Sequence, residues 1–198
     1  QSNGEAFCFL HHPLEGLQEQ NTKGKLFTFR SKDKRTFVFD PKAQKDFPEE
    51  STISDSDYNP LSLSEDGERI FFGVKKVQIT KNTAQTAVQV WNTEDKSIYP
   101  LKKQISGWDK VEKLTVWYPK SNRFFQIADN ALPQVALNGN QTYAIVSNQE
   151  TYEPQEKREA DRDFYGVDLQ TGTKKLLFEK YSGANQMILM SPKGKYIT

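Results

Sequence analysis

The sequence predicts an all-β protein built of antiparallel four-stranded blades, a partial β-propeller. Three observations carry this reading. Glycine-hinged hairpins recur along the chain, a second kind of hairpin alternates with them, and no long helical period competes. The composition agrees: 35% of the 198 residues are apolar, 27% charged and 12% aromatic. Many aromatics among many polar residues suit strands with one buried and one wet face.

The first hairpin is LSLSEDGERIFFGV, Leu61 to Val74, hinged at Asp66-Gly67. LPQVALNGNQTYAIV, Leu132 to Val146, repeats it with Asn138-Gly139 at the hinge. MILMSPKGKYIT, Met187 to Thr198, repeats it again around Lys193-Gly194. Glycine is expected at these hinges because a tight turn places one residue at positive φ, where a Cβ clashes. Pro192 fixes φ for the first turn position.

The second kind of hairpin is read at RTFVFDPKAQKDF (35–47), AVQVWNTEDKSIYPL (87–101), KLTVWYPKSNRFFQIAD (113–129) and DFYGVDLQTGTKKLLFE (163–179). Each has a β-rich strand, a turn with Asp, Asn, Pro or Gly, and a second strand; Gly172 marks the last of these turns. AFCFL, KLFTFR and TFVFD predict a further blade near the N-terminus. The charged stretch 150–163, with Pro154, reads as an exposed loop with a helical turn, and the stretch 42–60 as loop-rich, both projecting from blade ends.

Spacing adds organisation. Gly139 and Gly194 stand 55 residues apart, one unit. Gly67 and Gly139 stand 72 apart with two hairpins of the second kind between them, so one of these is an insertion or the second half of a unit that lost its first half, and an inserted arm near 75–112 is favoured. Four strands in roughly 40–50 residues are the signature of propeller blades. The units then run near 1–58, 59–130, 131–182 and 183–198, the last being the start of a further blade.

Bulk properties narrow the function. A net charge of +1 predicts no nucleic-acid partner. The single cysteine, Cys8, cannot form an internal disulfide, and no Cys/His cluster has zinc spacing, so neither metal nor cofactor is expected. No apolar run approaches the roughly 18 residues of a membrane span. No signal peptide is legible at QSNGEAF; a periplasmic or cell-envelope location is favoured over a cytoplasmic one.

Each candidate site has a plainer reading. His11 and His12 lack a third ligand, and neighbours on a strand point to opposite faces. SDSDYN (54–59) alternates oxygen ligands but lacks the Gly and Glu of a calcium loop, and is read as a solvated turn. KREADRD (157–163) is read as a solvated loop, with approach to a substrate entrance as the alternative. Trp91 and Trp117 are assigned to cores between blades, and Trp108, after Gly107, to an exposed turn. Asp129 and Asp168 end strands, where carboxylates bond turn amides. A glycoside-hydrolysing pair would need them to face each other across a sugar.

The hinges Ser64-Glu65-Asp66-Gly67 and Ser191-Pro192-Lys193-Gly194 resemble the WD-like repeats of the β-propeller in the prolyl oligopeptidase family. YGVDLQTGTKKLL is similar to that propeller's third-to-fourth strand hairpin. The order of motifs from Asn59 to Thr198 is similar to a bacterial subgroup of large serine peptidases with an N-terminal propeller. The resemblance implies a non-catalytic propeller that gates access to an α/β-hydrolase domain of the same full-length protein, with peptides as substrates. The chain itself has no G-x-S-x-G nucleophile elbow, and its only histidines are His11 and His12, so no catalytic residue is assigned. The acidic Y-E-E motif of the dipeptidyl-peptidase branch is echoed only by TYEPQE (151–156), so no substrate-binding residue is carried over. The chain stops inside a hairpin at GKYIT and is expected to be part of a longer protein. Two other readings stay open: a stand-alone propeller that binds or scaffolds in a cell envelope, and a propeller glycosidase.

Overall fold

The computed structural model describes residues 5–12, 24–54, 56–77, 111–157, 159–183, 188, 191 and 196. These form antiparallel sheets stacked face to face, with 3-10 turns at Pro41–Ala43 and Glu150–Tyr152. The all-β antiparallel class is the one the sequence predicts.

The first sheet is a meander of β1 (Ala6–His11), β2 (Lys25–Arg30) and β3 (Arg35–Phe39), three strands rather than four among the described residues. In the second sheet, β4 (Ser51–Ile53) and β5 (Ser62–Leu63) both pair with β6 (Ile70–Lys76). They make one interrupted strand along it. β7 (Lys113–Tyr118) and β8 (Arg123–Gln126) complete this sheet. The third sheet is a four-stranded meander of β9 (Gln134–Leu137), β10 (Tyr143–Asn148), β11 (Asp161–Asp168) and β12 (Lys174–Ser182).

Period-two alternation lets one strand feed two cores. Ile70, Phe72 and Val74 of β6 meet Leu26 and Phe39 of the first sheet, together with Trp117. Phe71, between them, points the other way and meets Ala144, Val146 and Val167 of the third sheet. Trp117 is 1% exposed with its ring 5.4 Å from that of Phe39, so it fills a core between sheets as assigned. Each such side chain contributes about 1.5–3 kcal/mol on burial, and these faces hold the stack together.

The glycine-hinge turns share one closure. Ser64 N–H donates to Arg69 O (2.9 Å), and Arg69 N–H donates back to Ser64 Oγ (2.9 Å). Asn138 and Tyr143 repeat this at 3.0 and 2.9 Å, and Ser191 and Tyr196 at 2.9 and 3.1 Å. The left-handed residue is Gly67 (φ 65) in the first turn but Gln141 (φ 56) in the second. Gly139, expected at that position, comes two residues too early. Asp66 and Asn140 are the matching acceptors, taking the N–H of Glu68 (2.9 Å) and Thr142 (3.3 Å). Pro192 and Gly194 lie outside the described residues. So do Trp91, Trp108, the 87–101 hairpin and most of the expected arm.

Two further expectations need correction. RTFVFDPKAQKDF is not a hairpin: after β3 the Asp40 carboxylate accepts the Lys42 N–H (2.9 Å), and Pro41, lacking an N–H, opens a 3-10 turn. β3 pairs instead with β2, across a turn closed by Lys34 N–H to Ser31 O (3.2 Å). The stretch 150–163 is not all loop either, since β11 begins at Asp161, whereas the loop-rich 42–60 contains only the short β4.

Candidate functional site

The hinge turns of the second and third sheets meet at one end of the stack. Asp66, Glu68 and Arg69 from one turn, Thr142 and Tyr143 from the next, and Asp168 and Gln170 from the β11–β12 turn line a groove of about 380 Å³ with Tyr118. Gly67, Asn138, Gly139 and Gly172 belong to the surrounding turns, and Gly172 is left-handed (φ 81).

The groove is held by polar ties between sheets. The Tyr118 hydroxyl donates to Leu169 O, and burial raises its pKa. The Arg123 guanidinium donates to Gln170 O while lying 4.7 Å from the Tyr118 ring centre. Glu68 accepts from Arg30 of the first sheet (2.6 Å) and from Lys120 (3.2 Å). The Arg30 hydrogen bond is the main cause that holds the Glu68 carboxyl at about 2. Arg69 pairs with Asp66 at 2.7 Å. Opposite charges are thus matched along the rim, which suits a structural belt more than a reactive centre.

Neither histidine lines the groove. His11 stands edge-on to Phe27, with ring centres 6.1 Å apart, and His12 packs beside Gly24. Burial pushes the Cys8 thiol up to about 11, so it stays protonated at neutral pH. Among the described residues no group of three His, Cys, Asp or Glu could hold a metal ion. No described helix is long and apolar enough to cross a membrane.

The strand-end carboxylates serve turns. Asp168 accepts the N–H groups of Gln170 (2.7 Å) and Thr171 (3.2 Å). Asp129 accepts from Leu132 N–H (2.8 Å) and Lys174 Nζ (2.6 Å). Burial opposes its ionisation, but these donors outweigh it and its pKa is lowered.

Two loops are more organised than expected. In 54–59, the Ser56 hydroxyl (2.7 Å) and the Asn59 N–H (2.6 Å) donate to the buried Glu112 carboxylate. Sequence reading missed Glu112, because the bond joins positions 53 apart. In TYEPQE, the Tyr152 hydroxyl donates to Asp163 (2.6 Å), which pushes its pKa up to about 12. The Gln155 amide bonds both the N–H (2.6 Å) and the carbonyl (3.1 Å) of Asp161, and Lys157 pairs with the Asp161 carboxylate (2.7 Å). The segment 151–157 is therefore stitched to the start of β11, and 157–163, read as a solvated loop, enters the strand at Asp161, where Asp161 and Arg162 are buried.

No protein-family model matches the chain, and no curated protein does. Among solved structures, it is similar to Pyrococcus horikoshii acylaminoacyl peptidase, with a TM-score of 0.35 and 7% identity over 88% of this chain and 23% of that one. It is also similar to the tricorn protease, with a TM-score of 0.30 and 8% identity over 91% of this chain and 22% of that one. The chain thus spans less than a quarter of either. At these TM-scores the likeness carries no argument about activity.

Proposed function

We propose that this chain is the non-catalytic propeller portion of a prolyl-oligopeptidase-like serine peptidase. The Ser, Asp and His would reside on an α/β-hydrolase domain elsewhere in the full-length protein, and the propeller would restrict entry to short peptides. One observation carries the reading: antiparallel sheets are stacked so that both faces of the second are buried, and turns with one shared closure punctuate the stack. The order of motifs from Asn59 onward supports the family. The units near 1–58, 59–130, 131–182 and 183–198 belong to this reading. The pairing of β4 with β6 favours a first division between Phe39 and Ser51. A periplasmic or envelope location is part of the same proposal.

The test uses the full-length protein, a fluorophosphonate probe and peptides of increasing length. The expected result is one labelled serine outside this chain, with short peptides cleaved and long ones spared. An unlabelled protein whose remaining sequence lacks a G-x-S-x-G elbow would instead be a binding or scaffold propeller.

A further inference from the structure

Arg162 of β11 is a buried charge held by neutral groups. Tyr165 and Val167 face the core shared with the second sheet, so alternation turns Arg162 and Phe164 to the opposite face. There Arg162 is 4% exposed. Its Nη1 donates to Gln134 Oε1, an oxygen that also accepts the Ser147 hydroxyl (3.2 Å). Its Nη2 donates to Gln149 Oε1 at 3.2 Å, and its buried Nε has no hydrogen-bond partner. Two other buried arginines each have a carboxylate: Arg30 pairs with Glu68 and Arg69 with Asp66. Among the described residues, no carboxylate pairs with Arg162.

Neutral amides compensate poorly for a guanidinium taken out of water. Burial lowers the Arg162 pKa, and the Glu159 charge opposes this without forming an ion pair. The flanking acids are committed elsewhere, Asp161 to Lys157 (2.7 Å) and Asp163 to the Tyr152 hydroxyl (2.6 Å). The segment 183–198, whose Ile188 packs on Phe164 and Ile145, contains no Asp or Glu, so it cannot supply the missing carboxylate. An unpartnered Nε–H beside an Nη2 held at the long end of the hydrogen-bond range suits the two oxygens of a carboxylate. A phosphate dianion would ask for a second cation, and Lys157 is already engaged.

We propose that Arg162 is a receptor for the carboxylate of a small ligand, which takes its Nε–H and Nη2–H in place of Gln149 while Gln134 keeps Nη1. The inference goes beyond the proposed function and needs no reactive serine. It is tested in the full-length protein by amide hydrogen exchange of β10 and β11, read by mass spectrometry at fixed pH. The probe is sodium acetate, set against sodium chloride of equal ionic strength and acetamide of equal concentration. Acetate is expected to slow exchange in these strands with a saturating dose dependence, and neither control is expected to do so. Arg162→Lys keeps the charge but not the fork, and should weaken the apparent acetate affinity at least about tenfold. Gln134→Glu sets a carboxylate beside Nη1, and should slow exchange without acetate and abolish the acetate response. This variant carries the test should Arg162→Lys misfold. Equal exchange of the wild type in acetate and chloride overturns the proposal. Gln134→Glu then names the reason: faster exchange means that an Asp or Glu elsewhere in the protein already pairs with Arg162, and slower exchange that the charge stays unpaired. An acetate response that survives in both variants also overturns it, because the acetate then binds away from Arg162.

Discussion

At the residue scale, Gln141 occupies the position that Gly67 fills in the preceding hinge. A side chain in the left-handed region costs about 1 kcal/mol, and the Gln141 Oε1 is buried with no hydrogen-bond partner. Gln141→Gly is therefore expected to raise stability by about 1 kcal/mol in urea unfolding. Gly139→Ala should be close to neutral; a large loss there would return the hinge role to Gly139. Glu68 makes a second test. Its carboxyl falls from 4.5 unfolded to about 2 folded, so its contribution is present above pH 4.5 and lost as pH drops towards 2. Because Glu68 is 38% exposed, solvent screening keeps that contribution to about 1 kcal/mol or less. Wild type should exceed Glu68→Gln in stability at pH 7 and converge with it near pH 2; a pH-independent gap would show that the ion pair is not the cause.

At the element scale, β12 is the exposed edge of the third sheet and needs protection from foreign strands. Leu176 and Phe178 are 42% and 40% exposed. Lysines at 174, 175 and 180, Glu179, register shifts opposite Phe164 and a left-handed Lys180 spoil the edge as a template. Lys175→Val with Glu179→Val is expected to produce concentration-dependent assembly in sedimentation velocity, and a monodisperse variant would assign the protection to the bulged backbone alone. The same local chemistry decided what could be read from sequence. The β5–β6, β7–β8, β9–β10 and β11–β12 hairpins were legible because apolar alternation and turn residues lie side by side in the chain. β4 was not, since three residues among acids and serines show no period, and its partner β6 begins 17 positions later. The 35–47 hairpin failed because Asp-Pro can open a 3-10 turn as readily as a β-turn. Of the candidate site, the turn carboxylates were legible by type, whereas the Arg30–Glu68 tie and the Glu112 anchor span distances that no local pattern encodes.

At the scale of the molecule, stacked sheets touch mainly their neighbours, so stability should be divided among interfaces rather than shared evenly. Phe39 lies at the first interface, with ring centres 5.2–6.1 Å from Phe124, Phe72, Trp117 and Phe47. Phe39→Ala removes that wedge and should cost about 3–5 kcal/mol at the interface. Amides of β2 and β3 are then expected to exchange much faster with solvent deuterium, while those of β10 and β11, one interface further on, keep most of their protection. Leu169→Ala, in the core between the second and third sheets, should reverse the pattern. Equal acceleration in the first and third sheets by either variant would mean that a single shared core holds the chain.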